Sequence, residues 1–459
     1  MSLTLSKWQK EAHKEFFDKE GLALNVDTGL GKSILAVEIA NTVNWSKETC
    51  IIVTPPHLIG DLVEKFTDFY KHIIGNINLL NKTNKQIQSR KINLISYQKF
   101  IRYEKEILKS MKRNEKYYII YDEAHMIKNP NSKGFIFAKK LTEKFDVSNL
   151  CTTATMLSTS NIDLFTSTFL TNKELREEYK GWYDFRTRDN NVKHEKIYTA
   201  ARQIQVPKSI NKHAMKKWIN PSIKVIKNSL LVKADYVQIY APKAKQIDTQ
   251  LDKMESIKNY NIIIKHLNAK EIERLKNTIK DPSGKALQLA NNFYYDEIKG
   301  EAKYFKFKEK LELLNSVIKT EVEKNHKGIL FYFYKAELEK LKEYFSKNKR
   351  IYYHNPKKDL VHQIKEFEEG KYDLFILNIA SASTGIRFKH SSYIIHFTIT
   401  WNTLTIKQAN GRLNYVGREK PYTIYNFAAG NEQLRYIGKR IQTTMNKAEK
   451  WKTEQGEVI

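Results

Sequence analysis

The sequence predicts an α/β fold: two doubly wound parallel-sheet domains with a helical, basic insertion between them. Three observations carry this. The first third alternates short apolar runs with helical patterns, the last third repeats the scheme, and the stretch between them breaks it. A chain of 459 residues has room for two or three domains, each with its own core, at ~100–200 residues per domain. The expected boundaries are 1–195, 196–300 and 301–459.

The early runs are LALNV (22–26), CIIVT (50–54), INLIS (92–96), YYIIY (117–121) and NLCTT (149–153). They are short and rich in β-branched or aromatic residues, which suits strands buried on both faces beneath helices. GILFYFY (328–334), RIYYH (350–354), DLFILNI (373–379), SYIIHF (392–397) and YTIYNF (422–427) repeat the pattern. Between them, Lys196 to Ala234 contains no acidic residue but nine lysines and arginines, among them Lys208, Lys212 and Lys216. Residues 245–320 then read as helices, with Ile257, Ile262, Ile263 and Leu267 at helical spacing and a breaker at Asp281-Pro282-Ser283-Gly284.

The formal net charge is +28, which excludes an acidic tail protein and makes a polyanion the leading partner, ahead of membrane surfaces and acidic proteins. Aromatic residues reach 12% and glycine and proline are few, so the chain folds. No apolar run approaches the ~18 residues of a membrane span. The N-terminal segment lacks a signal-peptide core. Two cysteines, Cys50 and Cys151, read as reduced thiols. The expectation is an intracellular protein, cytoplasmic or nucleoid-associated, with a monomeric core.

Asp27-Thr28-Gly29-Leu30-Gly31-Lys32-Ser33 follows the first apolar run and opens a helical stretch. Glycines there let backbone N–H groups converge on phosphates, Lys32 adds a mobile cation, and Ser33 can ligate Mg²⁺. Val26 stands where the strict phosphate-loop pattern has glycine, so a plain glycine-rich helix entry is the competing reading. Asp122-Glu123-Ala124-His125 ends the YYIIY run. Asp122 can hold Mg²⁺ and Glu123 can polarise an attacking water. Alone, two solvated carboxylates would explain that pair equally well. Together the two motifs point to a nucleotide hydrolase.

These residues resemble superfamily 2 helicases, and within them the Swi/Snf branch of duplex-DNA translocases. DEAHMIKN (122–129) is similar to that branch's DEAH-x-[IL]-K-N. TTATMLSTSNIDLF (152–165) resembles its TGTP segment, with Ala154 and Met156 replacing Gly and Pro. ASASTGIRF (380–388) resembles the glycine-rich AGGxGLNL motif, Trp401-Asn402 matches a Trp-Asn pair, and QANGRLNYVGR (408–418) resembles QAxxRxxRxGQ. The motifs run in the family's order over nearly the whole chain.

The resemblance implies two tandem RecA-like domains that use ATP and Mg²⁺. Gln9 would read adenine. Thr28, Gly29, Gly31, Lys32 and Ser33 would hold phosphates, with Gly385 from the second domain, and Ser33 and Asp122 would hold the metal. Lys32, Asp122, Glu123, Gln408 and Arg412 would act in catalysis, and Thr153 and Thr155 would couple ATP state to DNA grip. The second arginine of the last motif falls on Tyr415, so Arg418 is expected to reach in its place. Thr54, Pro55, His57, Ser96, Lys99, Ser381, Ser383, Thr384 and Trp401 are the expected nucleic-acid contacts, although the first five could equally be strand-to-helix turns. The basic stretch 196–234 reads as a DNA-facing surface or a solvated lysine-rich face. The implied partner is duplex or branched DNA, read with little sequence specificity, with a protein that loads the motor as a further expectation. An RNA-stimulated ATPase and a nucleic-acid-binding module with a decayed ATPase are the competing functions.

Overall fold

The computed structural model describes residues 3–27, 29–157, 160–198, 203–227, 235–241, 288, 291, 293–295, 300–304, 309–384, 387–400, 403–413, 418, 420–429 and 456–458. The chain divides into two compact units, Met1–Leu231 with Asn446–Ile459, and Val232–Met445.

The first unit carries β1 (Gly21–Val26), β2 (Glu48–Thr54), β3 (Ile77–Leu79), β4 (Ile92–Ser96), β5 (Lys116–Asp122) and β6 (Asp146–Thr153). An antiparallel hairpin, β7 (Val192–Tyr198) and β8 (Gln203–Ile210), leads to β9 (Ile223–Lys227). The second unit carries β10 (Asp235–Ala241), β11 (Phe293–Tyr295), β12 (Ala302–Tyr304), β13 (Lys327–Tyr332), β14 (Ile351–Tyr353), β15 (Leu374–Asn378), β16 (Ser391–His396) and β17 (Thr423–Ala429). A last strand, β18 (Gly456–Val458), returns to the first sheet beside β9. The helices that matter below are α1 (Lys7–Lys19), α2 (Lys32–Thr42), α3 (Tyr97–Arg102), α4 (Lys133–Lys144), α5 (Glu309–Glu323) and α6 (Lys335–Tyr344), with α7 (Leu360–Glu369) and α8 (Thr403–Asn410).

The first sheet runs β18-β9-β1-β6-β5-β2-β4-β3 and the second β10-β17-β16-β13-β15-β14. Every described pairing in both is parallel. The apolar runs form strands because both faces of each sheet are covered. Along β2, Ile51 and Val53 enter one core while Cys50 and Ile52 enter the other. Along β5, Tyr117, Ile119 and Tyr121 alternate with Tyr118 and Ile120 in the same way. The second unit repeats this: Ile329 and Phe331 face one core, Leu330 and Tyr332 the other. At the start of β13 a Cβ on Gly328 would lie 2.0 Å from the Tyr393 ring, so glycine is what allows that ring to cross the strand. Both cysteines are free and buried, and burial pushes the Cys151 thiol up to about 12.

All ten runs singled out in the sequence are strands. Residues 203–227, inside the span assigned to the insertion, supply β8 and β9, and β9 pairs with β1. Of the helices expected across 245–320, α5 lies among the described residues, whereas 257–267 lies outside them.

The second unit also buries a lysine. Lys310, at the start of α5, is 3% exposed. Its ammonium donates to the Phe397 carbonyl (2.5 Å) and to Asn291, and stands over the Phe397 ring. Glu337 of α6 is nearby in charge, accepting from the Phe333 and Tyr334 N–H groups and the Thr398 hydroxyl. Burial pushes the Lys310 ammonium down to about 8, against the pull of Glu337. The unfolded chain keeps this proton until about pH 10.4. Between those values the folded state binds fewer protons, so stability should rise with pH, by at most about 1.4 kcal/mol per pH unit. Urea unfolding of the full chain between about pH 8 and 10 checks this. Lys310→Met should lose that rise, and a wild type as flat as the variant would contradict it.

Candidate nucleotide site

The site of the first unit forms at the carboxyl ends of β1, β2, β5 and β6. After β1 the chain turns through Gly29 and Gly31, both at φ 86°, a left-handed conformation that side chains with a Cβ disfavour. Gly31 caps α2 without a side chain, and the first turn of α2 carries no acidic residue. The N–H groups there are placed to meet an anion. Lys32 folds back so that its ammonium donates to the Val26 carbonyl at 3.2 Å. Gln9 of α1 is buried, accepts from the Ser6 N–H and hydroxyl (2.8 and 3.0 Å), and donates to the Gly31 carbonyl at 3.0 Å. A Cβ on Gly31 would meet that amide nitrogen at 2.8 Å. Gln9 therefore braces the loop, in addition to any contact it makes with a base. Ser33 is half-buried in the first turn of α2. Thr28 lies outside the described residues.

Asp122 ends β5 with 2% exposure. Its carboxylate accepts from Thr54 (3.1 Å) and Thr152 (3.2 Å). Burial, with the Glu123 charge beside it, pushes the Asp122 carboxyl up, against the pull of Lys32 and the two hydroxyls. Glu123 sits at φ 53°, ψ 51°, a strained position for a side chain with a Cβ and a recurring mark of functional sites. It accepts from the Thr153 hydroxyl at 2.9 Å and pairs with His125 Nδ1 at 3.1 Å. Burial would raise the Glu123 carboxyl, but the His125 hydrogen bond and the Lys32 charge outweigh it and hold the carboxyl low. Thr153 also meets His125 (3.0 Å) and accepts from the Thr155 N–H (3.2 Å). Two adjacent carboxyls thus stand in opposite environments, Asp122 desolvated at the end of the ladder and Glu123 held in its ionised form by His125 and Lys32.

Hydroxyl and carboxylate oxygens, as at Ser33 and Asp122, are the hard donors that Mg²⁺ takes, usually with waters and substrate phosphates completing its shell. Among the described residues no three carboxylates, histidines or cysteines form a metal cage.

The expected nucleic-acid contacts of the first unit divide. Thr54 and Ser96 are buried rather than on a surface: Thr54 donates to Asp122, and Ser96 caps α3 by accepting from the Lys99 N–H (3.4 Å). Both contacts have one cause, since a buried hydroxyl at a strand end needs a partner, and both fit the strand-to-helix turn that was the alternative reading. Pro55 is buried and His57 half-buried. The Lys99 ammonium donates to the Leu80 carbonyl at 3.2 Å.

In the second unit Gln408 lies on α8 and Arg412 just beyond it, both largely buried. The Arg412 carbonyl accepts from the Phe388 N–H at 3.2 Å. Arg418 directs its guanidinium to the carbonyls of Lys420 and Ser391, both at 2.9 Å, and lies over the Tyr422 ring. It braces its own loop. Ser381 is half-buried in a short turn. The side chains of Ser383 and Thr384, and residues Gly385, Trp401, Asn402 and Tyr415, lie outside the described residues. Sequence reasoning missed the contacts of Thr152 and His125 with the two carboxyls. The parity of β6 placed Thr152 and Thr153 on opposite faces and was the available signal.

The loop, the paired carboxyls and the parallel sheet define a nucleotide-hydrolase core. The family described as "Type III restriction enzyme, res subunit" matches residues 2–158, and "Helicase conserved C-terminal domain" matches residues 309–417. In that order they make the tandem core of the superfamily 2 helicases and ATPases, to which this chain belongs. An uncharacterized ATP-dependent helicase of Mycoplasma genitalium is 24% identical over 452 residues, covering 93% of this chain. This chain spans 40% of that relative's length. A solved Sulfolobus solfataricus SWI2/SNF2 ATPase core in complex with dsDNA is similar at a TM-score of 0.42 and 17% identity, over 94% of this chain and 88% of that one. Among the described residues, no helix is long and apolar enough to cross a membrane.

Losing the hydroxyl that joins Glu123, His125 and Thr155 should remove about 1–3 kcal/mol of interaction with a charged group. Thr153→Val should therefore lower ATP turnover by roughly 5- to 150-fold, while Thr153→Ser retains most of it. Steady-state phosphate release checks this.

Proposed function

We propose that this chain is an ATP-driven motor of the Swi/Snf type that moves on duplex or branched DNA. The observation that carries the reading is the node at Glu123: a strained, low-lying carboxylate joined through Thr153 to the segment that resembles the TGTP motif. DEAHMIKN and Trp401-Asn402 favour DNA over RNA by resemblance, and the net charge of +28 fits a phosphate backbone.

ATP phosphates would lie at the first turn of α2, where backbone N–H groups and Lys32 neutralise their charge. Lys32 would exchange its bond to the Val26 carbonyl for the phosphate. Mg²⁺, held by Ser33 and Asp122, would supply charge neutralisation at the phosphates. Glu123, kept ionised by His125 and Thr153, would orient and polarise the attacking water. Gln408 and Arg412 are assigned to the same nucleotide by the resemblance of QANGRLNYVGR, with Arg412 as the cation for charge developing on the transferring phosphate. A protein that loads the motor belongs to this reading as well.

The test is steady-state ATPase with no nucleic acid, single-stranded DNA, duplex DNA, forked or four-way DNA, and RNA, with Glu123→Gln as the blank. Stimulation by duplex or branched DNA that is absent from the blank is expected. Stimulation by RNA alone would replace DNA with RNA, and tight ATP binding without turnover on any of them would contradict the motor.

A further inference from the structure

The β7–β8 hairpin has no place in the nucleotide site, and its sequence carries a strong charge. Residues 192–210 hold three lysines and Arg202 against a single acid, Glu195, and Lys212, Lys216 and Lys217 follow directly after β8. Lys193, Lys196, Lys208, Lys212, Lys216 and Lys217 are all exposed. Glu195 pairs with Lys208 at 2.6 Å.

Lys193, His194, Glu195 and Lys196 are exposed in succession along β7. Successive strand residues point to opposite faces, so this stretch is open on both. A two-stranded hairpin is marginal by itself, and this one is held at its root. Val192 and Ile210 are buried in the first unit's core with Trp218 and Ile219. Asn161 clasps Ile210 from both sides: its side chain donates to the Ile210 carbonyl (2.9 Å) and accepts from the Ile210 N–H (2.8 Å). Ser160 donates to the Lys208 carbonyl at 2.9 Å. Asn211 donates to the Asn190 carbonyl and accepts from the Ala214 N–H.

The clasp has a second consequence. Ser160 and Asn161 lie a few residues beyond Thr153 and Thr155, whose hydroxyl network holds Glu123. Asp163, in the same turn, pairs with Lys128 of the DEAHMIKN string at 3.7 Å. The hairpin's root is therefore fastened to the segment that positions the candidate base.

We propose that the β7–β8 hairpin, with the lysines that follow it as far as Lys217, is an arm for a nucleic-acid phosphate backbone, and that its clasp on Ser160 and Asn161 transmits grip to the Thr153–Glu123 node. The ligand class rests on the reading under Proposed function. A lipid surface would call for apolar side chains beside the lysines. Anionic vesicles are therefore one arm of the test.

The test uses the full chain with Lys193, Lys196, Lys212 and Lys216 all replaced by Ser. Binding to duplex DNA, duplex RNA and anionic vesicles is followed between about 50 and 200 mM salt, with melting temperature recorded. Each lost phosphate contact removes about 0.9 from the slope of log affinity against log salt. The slope for the nucleic acid should thus fall by roughly 3–4, with at least about tenfold weaker binding at low salt. The DNA and RNA arms tell which backbone is held. Wild-type affinity and slope in the variant, or a loss confined to vesicles, would overturn the arm. Ser160→Ala with Asn161→Ala should keep the salt slope but reduce maximal stimulation of ATPase at least severalfold, and unchanged stimulation would overturn the transmission. A wild type whose ATPase no nucleic acid stimulates, but whose salt slope still depends on the four lysines, would remove the motor and leave the arm.

Discussion

Parallel pairing brings the strand ends of the first unit to one edge, and the candidate chemistry depends on it. Asp122 lies opposite Thr152, Asn25 opposite Thr153, and Val53 opposite Tyr121. An antiparallel neighbour would have sent Thr152 to the far edge and left Asp122 without that donor. Two-sided burial makes the register hard to change. A slip of one residue in β2 would exchange Ile51 and Val53 with Cys50 and Ile52, and so move every side chain into the wrong core. The geometry of the site is thus inherited from packing well beneath it, in the general way that open parallel sheets bind ligands at their carboxyl ends.

That inheritance explains how two neighbouring carboxyls are kept apart in character. Asp122 is the last residue of β5 and stays in the buried ladder, where desolvation favours its neutral form. Glu123 leaves the ladder through a left-handed turn, which carries its carboxylate to His125 and Thr153. The strain at Glu123 is held by those two partners, and Thr153 is itself fixed by β6. Lys32 acts on both carboxyls, lowering each. A cation or phosphate entering this field meets groups already oriented, so little reorganisation remains for the reacting state.

Much of this was legible from residue patterns. Ten strands were readable because two-sided burial writes itself as a continuous apolar run. The phosphate loop was readable because its glycines serve the backbone. For Thr54 and Ser96 two readings stayed open because sequence does not say which way a hydroxyl at a strand end turns; burial sends one to Asp122 and the other to cap α3. The contacts of Arg418 were not legible, because a motif position does not fix the carbonyls of Lys420 and Ser391 that hold its guanidinium. The hairpin β7–β8 was hidden by its lysines, whose even spread masks the period of a strand exposed on both faces. The strands β9 and β18 join the first sheet from distant parts of the chain, and such long-range pairing leaves no local mark.

The departures from the family pattern bear on whether the ATPase has decayed. Val26 replaces a glycine of the phosphate loop, yet its side chain is fully buried in a core and its carbonyl accepts from Lys32. What the loop uses at that position is backbone, which valine supplies as well as glycine does. Met156 replaces a proline and is 1% exposed in the other core. A flexible thioether can fill that space without disturbing Thr153 or Thr155, since methionine adapts to irregular gaps. Ala154 replaces a glycine in the same segment and is 8% exposed. Each of these changes falls on a packing side chain, while the groups that would meet nucleotide, water and metal in the first unit keep their chemistry. Decay would be expected to relax the polar groups first, because two adjacent carboxyls such as Asp122 and Glu123 are costly to bury without a use. Here both are retained, Glu123 in a strained backbone conformation, and they are surrounded by four hydrogen-bonding partners, Thr54, Thr152, Thr153 and His125.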